Sequence, residues 1–147
     1  MNFNKVISPS NHSDFDKYYY FRWEYLRKDL KQKLGSERDD TENISIHRMI
    51  KNNNGEIIGI GRLHKSSSDI YQIRYFAVHK DYRRIGLGTY LMKDLEKIVV
   101  KNKSNYITLN ARENAINFYK KLGYKVLKKT FLLYKKIQHY EMRKKII

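Results

Sequence analysis

The 147-residue sequence contains no cysteine, a single proline and no long apolar run. Without cysteine the chain can form neither a disulfide nor a thiolate metal site, and any group transfer must avoid a cysteine-bound intermediate. No apolar stretch approaches the roughly 20 residues that span a membrane, and the N-terminal residues lack the apolar core of a signal peptide. We therefore expect a folded cytoplasmic protein with no metal and no membrane association.

Acidic residues are also scarce, because 15 Asp and Glu stand against 31 Lys and Arg for a formal net charge of +16. Such a surface attracts polyanions. The basic residues are spread along the chain in short groups instead of one block, which argues against nucleic acid and leaves room for a phosphate-rich cofactor. The length of 147 residues, with 41% hydrophobic residues, is enough for a hydrophobic core that needs no disulfide or metal ion to stabilise it. We therefore expect residues 1–147 to form one domain.

The most informative stretch joins a strand to a helix. β-Branched and aromatic residues at 73–78 predict a strand, and apolar residues at spacings of three and four predict a helix over 87–100. Between them, positions 83–88 read Arg-x-x-Gly-x-Gly. Backbone N–H groups of such a turn and of the helix start bind anions, with Arg83 and Arg84 at the rim. A pyrophosphate fits this site, although a tight turn that merely uses its glycines is the simpler alternative.

Two motifs follow one another in the second half of the chain. The first comprises Ala77-Val78, the turn at 82–88 and Leu91-Met92; the second, at 110–124, carries an Asn, a Phe-Tyr pair and Leu-Gly-Tyr. Together they resemble the acyl-CoA-binding motif and the following segment of the GNAT superfamily of N-acetyltransferases. Two motifs in order are far more specific than either one alone.

The resemblance implies an α/β (α+β) fold, a single domain whose mixed, mostly antiparallel central sheet is flanked by helices. It also implies acetyl-CoA as co-substrate, with the pantetheine arm between two splayed strands. By the same resemblance Asn114 contacts that arm, and the Tyr119 hydroxyl lies near the sulfur as general acid for the thiolate. From the residues alone, Tyr119 at the edge of its helix's apolar face is more simply explained by packing. The other cofactor-binding positions expected are Phe76, Ala77, Val78, Arg83, Arg84, Ile85, Gly86, Leu87, Gly88 and Thr89.

These features predict an N-acetyltransferase that moves an acetyl group from acetyl-CoA directly to a primary amine in a ternary complex. A backbone N–H, that of Val78, would hold the oxyanion. The acceptor, a small molecule or a protein, is left open, and so is a homodimer. The alternative is a non-catalytic GNAT-like module that binds CoA or a nucleic acid, against which the intact glycines, Asn114 and Tyr119 count.

The general base is not evident. Some members of the family carry a glutamate on the central strand, but the position close to it here is Gln72, and an amide takes no proton at neutral pH. The remaining candidates are a water chain, His47, His64 and Glu24. We expect the water chain to serve.

Elsewhere the sequence patterns predict further elements. They are a strand at 4–7, a helix over 14–34, a mobile acidic loop at 35–43, a hairpin over 44–60 turning at 52–55, strands at 71–78 and 106–109, a helix over 113–122, and strands at 124–129 and 131–146.

Overall fold

The computed structural model describes residues 2–147, and within them six strands form one mixed sheet flanked by helices. The strand order is β1-β2-β3-β4-β6-β5, with β3 parallel to β4, whereas β1–β2, β4–β6 and β5–β6 are antiparallel. The predicted α/β class and mostly antiparallel sheet are confirmed. The elements are α1 (His12–Leu26), β1 (Ile46–Lys51), β2 (Ile57–Lys65), β3 (Ile70–Val78), α2 (Leu87–Lys101), β4 (Tyr106–Arg112), α3 (Ile116–Lys121), β5 (Lys125–Leu133) and β6 (Ile137–Lys145).

The contacts divide the chain into two compact units. The first contains the chain up to His64 together with Tyr75–Leu95, and the second contains Lys65–Arg74 and Glu96–Ile147. Both β3 and α2 contribute residues to each unit.

The core of the first unit lies where α1 packs on β1 and β2. Tyr18 and Phe21 of α1 cluster with Met49 of β1 and with Ile57 and Ile60 of β2. Burying such large side chains is worth about 1.5–3 kcal/mol each, an upper estimate for a chain that is partly compact when unfolded.

Glycine lets β2 lie against its neighbours in this unit. A Cβ at Gly59 would lie 3.1 Å from Ile50 Cγ2, and one at Gly61 would lie 3.1 Å from Leu95 Cδ1. Both positions therefore leave no room for a larger side chain without movement of a neighbour.

The first helix is shorter than its periodicity predicts. Asn11 caps α1 by accepting a hydrogen bond from the Asp14 N–H (2.8 Å), but the helix ends at Leu26 instead of reaching residue 34. The Trp23 indole N–H donates to the Gln32 carbonyl (2.8 Å), and Lys31 takes a positive φ of 58°, so the chain turns back after a short 3-10 segment.

The hairpin between β1 and β2 is confirmed, with Gly55 at φ 80° in its turn. The predicted strand at 4–7 is not formed; Ile7 makes only an isolated antiparallel bridge to Met49. Near the C-terminus the break between strands lies at 134–136 and not at Thr130, because Tyr134 and Lys135 both take positive φ values.

The second unit contains a parallel ladder between β3 and β4, joining Ile70–Ile73 to Tyr106–Leu109, and so confirms the predicted β-α-β unit. Its buried apolar residues include Val99, Ile107, Leu109 and Met142. Within residues 2–147 there is no helix with the length and apolar character needed to cross a bilayer.

Candidate functional site

The turn between β3 and α2 is the best-defined candidate site of the first unit. A 3-10 segment (Lys80–Tyr82) opens it, capped by His79, whose Nδ1 accepts from the Asp81 N–H (3.0 Å). Arg84 and Gly86 then take φ values of 63° and 89°. Positive φ at alternate residues turns successive N–H groups toward one side of the backbone, which favours an anion there.

The first turn of α2 adds further donors to this place. It carries no acidic residue, so nothing on its own first turn neutralises the positive end of the helix dipole. Arg83 and Arg84 are exposed just before it, and Gly86 has open space where a Cβ would stand. The predicted turn residues are thus brought together. Ile85 is exposed, and Gly88 and Thr89 are half-buried. The side chain of Leu87 is buried, so only its backbone can contact a ligand.

The end of β3 meets the same turn through one arginine. Arg83 Nε donates to the Val78 carbonyl (3.2 Å), and the His79 N–H donates to the Ile58 carbonyl (2.8 Å). Ala77 is buried, while Phe76 and Val78 are half-buried. The Val78 carbonyl and the His79 N–H, where β3 ends, therefore each have a hydrogen-bond partner.

Tyr75, just before those residues, has an unusual backbone. Its φ is 54° in the middle of a strand, a conformation that costs an aromatic residue about 1–2 kcal/mol. The Tyr75 ring is 9% exposed, and the guanidinium carbons of Arg22 and Arg62 lie 4.2 and 4.9 Å from its centre. The sequence pattern of a plain β-strand carries no signal for this kink.

Arg22 and Arg62 have no exposed surface, and acidic residues of the segment 35–43 compensate them. Arg22 Nη1 donates to Glu42 Oε1 (2.9 Å), and Arg62 Nη1 donates to Glu42 Oε2 (2.8 Å) and Asp39 Oδ1 (2.7 Å). Burial alone would raise the Asp39 pKa, but hydrogen bonds from Arg62 and Thr41 outweigh it and hold that pKa well below its usual range. The expectation of a mobile loop here is wrong.

His47 is committed to the same network and is poorly suited to act as the base. Its Nε2 lies 2.7 Å from the Glu42 carbonyl, which can only accept, so we assign the proton to Nε2. Nδ1 then accepts from the Tyr18 hydroxyl (3.0 Å). Burial lowers the His47 pKa, which keeps the ring neutral, and burial raises the pKa of Tyr18 to about 12.

The other two base candidates are half-buried. His64 Nδ1 lies 3.3 Å from Arg62 Nη2, so that ring nitrogen accepts a hydrogen bond from the buried guanidinium. Glu24 lies on α1. Gln72 is half-buried on β3, where alternation puts Arg74 and Phe76 on its face.

The second motif lies in the second unit. Glu113–Ala115 forms a 3-10 turn, and α3 follows as only six residues, so the predicted helix over 113–122 is regular only in part. Asn114 is exposed in the 3-10 turn. Gly123 takes φ 97° and its N–H donates to the Lys120 carbonyl (3.0 Å), which confirms it as the helix terminator.

Tyr119 is the buried side chain of α3, 7% exposed, and not a residue at the edge of an apolar face as its spacing suggests. Its ring packs edge-on against Phe118 and Tyr124, at centroid distances of 5.0 and 6.0 Å. Burial raises the pKa of the Tyr119 hydroxyl strongly, and the charge of Arg112 opposes that shift only in part. The phenol therefore carries its proton at neutral pH.

Comparisons with known proteins give matches to acetyltransferases. Residues 26–146 match the model of the acetyltransferase (GNAT) domain. An uncharacterized N-acetyltransferase, YjcF of Bacillus subtilis (strain 168), is 30% identical over 140 residues, 95% of this chain and 99% of that relative.

Two solved structures share the fold. A putative N-acetyltransferase from Lactobacillus plantarum superposes with a TM-score of 0.86 at 17% identity, covering 99% of this chain and 100% of its own. An aminoglycoside 6'-N-acetyltransferase complexed with coenzyme A superposes with a TM-score of 0.75 at 17% identity, covering 98% of each chain.

Proposed function

Because this chain belongs to the GNAT acetyltransferase family, we propose that it transfers an acetyl group from acetyl-CoA to a primary amine. The observation that carries the proposal is the turn at 83–88. It joins two positive-φ residues, a helix start without acidic residues and two exposed arginines, which suits a pyrophosphate. The structural neighbour that holds coenzyme A supports the same ligand.

The transfer is proposed to be direct, in a complex of enzyme, acetyl-CoA and amine. The neutral amine nitrogen attacks the thioester carbonyl, and the resulting oxyanion accepts a hydrogen bond from the Val78 N–H. The C–S bond then breaks, and the departing thiolate takes the proton of the Tyr119 hydroxyl, which solvent later restores. The attacking nitrogen loses its own proton to a water chain, because His47 already uses both ring nitrogens.

The raised pKa of Tyr119 limits how readily it can donate in this step. The phenol keeps its proton at neutral pH, but it is a weak acid compared with a thiol such as that of cysteine, whose pKa is about 8.5. A nearby cation lowers that barrier, and the charge of Arg112 acts on the phenol in this sense. Asn114, exposed before α3, is proposed to contact the pantetheine arm.

The test is incubation of the protein with acetyl-CoA labelled in its acetyl group and a panel of small amines, peptides and lysate. We expect labelled acetyl-amine and free CoA thiol in equal amounts. The acceptor class, small molecule or protein, follows from which product carries label. Binding of acetyl-CoA with no transfer to any acceptor would instead support a non-catalytic CoA-binding module.

A further inference from the structure

Two fully buried arginines lie against one aromatic ring in the first unit, and the ring belongs to a residue with a strained backbone. Arg22 and Arg62 are 0% exposed, yet the Nε atom of each has no hydrogen-bond partner. Both guanidiniums instead lie over the ring of Tyr75. An aromatic face attracts such cations, and the attraction is stronger away from water.

Hydrogen bonds hold the Nη atoms of the two guanidiniums. Arg22 donates to the Glu37 carbonyl (3.1 Å), to Glu42 and to the Tyr18 hydroxyl (3.0 Å). Arg62 donates twice to Asp39, at 2.7 and 3.0 Å, and once to Glu42. Both guanidiniums are therefore held by several partners besides the Tyr75 ring.

The residue type of Tyr75 does not explain its φ of 54°. A tyrosine in the interior of a strand prefers an extended backbone, and only glycine adopts positive φ freely. Its conformation also sets the direction in which the chain leaves toward Val78, whose N–H our proposed function assigns to the oxyanion. A relaxed Tyr75 would rotate that N–H away from its present direction.

We propose that Arg22 and Arg62 are positioning residues that clamp the Tyr75 ring, hold its left-handed backbone and thereby aim the N–H group of Val78 at the thioester. The inference rests on the proposed function for its last step only. The clamp itself is a property of the free protein. Arg22, Arg62 and Tyr75 touch no reacting atom in this account.

A comparison of alanine with glycine at position 75 tests whether acetyl-CoA binding needs the left-handed backbone there. Both substitutions remove the ring, but Tyr75→Gly can keep positive φ without cost, whereas Tyr75→Ala cannot. We expect Tyr75→Ala to weaken acetyl-CoA binding by about tenfold or more and Tyr75→Gly to recover most of that loss. Glycine inside a strand is ordinarily the worse residue, so recovery would reverse the usual order.

Tyr71 supplies the matched control, because it is a tyrosine of the same strand, 6% exposed, and is not among the positive-φ residues. There we expect Tyr71→Gly to be less stable than Tyr71→Ala, with acetyl-CoA affinity unchanged in whichever variants fold. If the Tyr75 ring served only for packing, Tyr75→Gly would bind acetyl-CoA no better than Tyr75→Ala.

A spectroscopic readout on the free protein separates the clamp from the function. The three-bond HN–Hα coupling reports φ at residue 75, and the amide shifts of Ala77 and Val78 report the direction of the backbone. In Arg62→Lys, which keeps the charge but not the planar group, we expect the coupling to change toward the extended value and both amides to shift. Adding Tyr75→Gly should cancel most of the amide shifts.

These outcomes are distinguishable. If wild-type protein binds no acetyl-CoA while the coupling and the amide shifts behave as expected, the proposed function fails and the clamp stands. If Arg62→Lys and Arg22→Lys both leave the coupling unchanged, or if Tyr75→Gly binds acetyl-CoA no better than Tyr75→Ala, the clamp is overturned. Should Tyr75→Ala not fold, the lysine variants with and without Tyr75→Gly decide the question by the same readouts.

Discussion

Two pairs of arginines in the first unit show opposite uses of the same side chain. Arg22 and Arg62 are entirely buried and bound by carboxylates, whereas Arg83 and Arg84 stand exposed beside a helix start. A buried guanidinium must be neutralised within the fold, since an uncompensated buried charge is costly. An exposed one at a donor-rich turn keeps its charge for a ligand. The formal charge of +16 therefore says little about ligands until burial is known.

The largest expected effect comes from replacing one of the two buried arginines. Arg62→Met leaves Asp39 and Glu42 without one of their cations, so we expect a loss of about 3–5 kcal/mol in the free energy of unfolding. Arg84→Met, the exposed counterpart, should change it by less than about 0.5 kcal/mol. Urea denaturation of both variants measures the difference, and equal losses would contradict the contrast.

The next largest effect is expected from removing the hydroxyl of a buried tyrosine, and two such tyrosines with different roles can be compared. Tyr119→Phe removes the proposed proton donor at nearly constant volume, so kcat should fall by about 10²-fold with acetyl-CoA affinity retained. Tyr124→Phe is the control, because its hydroxyl donates to Glu96 Oε2 (2.8 Å) in the same unit. That variant should lose stability and keep kcat. An unchanged kcat in Tyr119→Phe would remove Tyr119 from the mechanism.

Removing the exposed pair should act on binding and not on folding. We expect Arg83→Gln with Arg84→Gln to weaken acetyl-CoA binding by about tenfold, the loss of roughly one charge-assisted contact. Wild-type affinity should also fall more steeply with added NaCl than that of the variant. Lys31→Gln with Lys33→Gln removes equal charge from exposed positions of the same unit. An equal loss of acetyl-CoA affinity in that variant would show that net charge alone causes the effect.

The smallest effect expected is a pH dependence from His47. Because burial lowers its pKa in the folded protein, the unfolded chain takes up the proton first, near pH 6.5, as pH falls. The stability contributed by the neutral ring is therefore fully present well above pH 6.5 and is lost progressively as pH falls through 6.5 toward the lowered pKa of the folded protein. His47→Gln should flatten this part of the stability profile in urea denaturation, and an unaltered slope would show that His47 does not titrate on unfolding.

Much of the fold follows from local patterns in the chain. The strand-turn-helix at 73–100 was predictable because the strand is rich in β-branched and aromatic residues, the helix periodicity is clean, and glycine marks the turn. The hairpin at 52–55 was equally clear from Asn-Gly. In both cases neighbouring residues determine the outcome, so no distant contact is needed to see it.

The buried charge network was missed because its members lie far apart in sequence. A signal did exist, since Arg62 interrupts the apolar run of β2 and the segment 35–43 is the one acidic cluster in a basic chain. A charge inside an apolar run, with opposite charge concentrated elsewhere, indicates a buried ion pair. The positive φ of Tyr75 had no such signal in the sequence. Tyrosine does not favour this conformation, and the arginines that contact its ring, Arg22 and Arg62, lie elsewhere in the chain.

The most direct test of the account compares two glycines by isothermal titration with acetyl-CoA. Gly86 and Gly55 have φ values of 89° and 80°, and both have open space where a Cβ would stand, so valine strains each backbone alike. We expect both variants to lose a similar amount of stability, and only Gly86→Val to weaken acetyl-CoA binding, by about tenfold or more. If Gly86→Val binds acetyl-CoA as wild type does, or Gly55→Val is equally impaired, the turn at 83–88 is not the acyl-donor site.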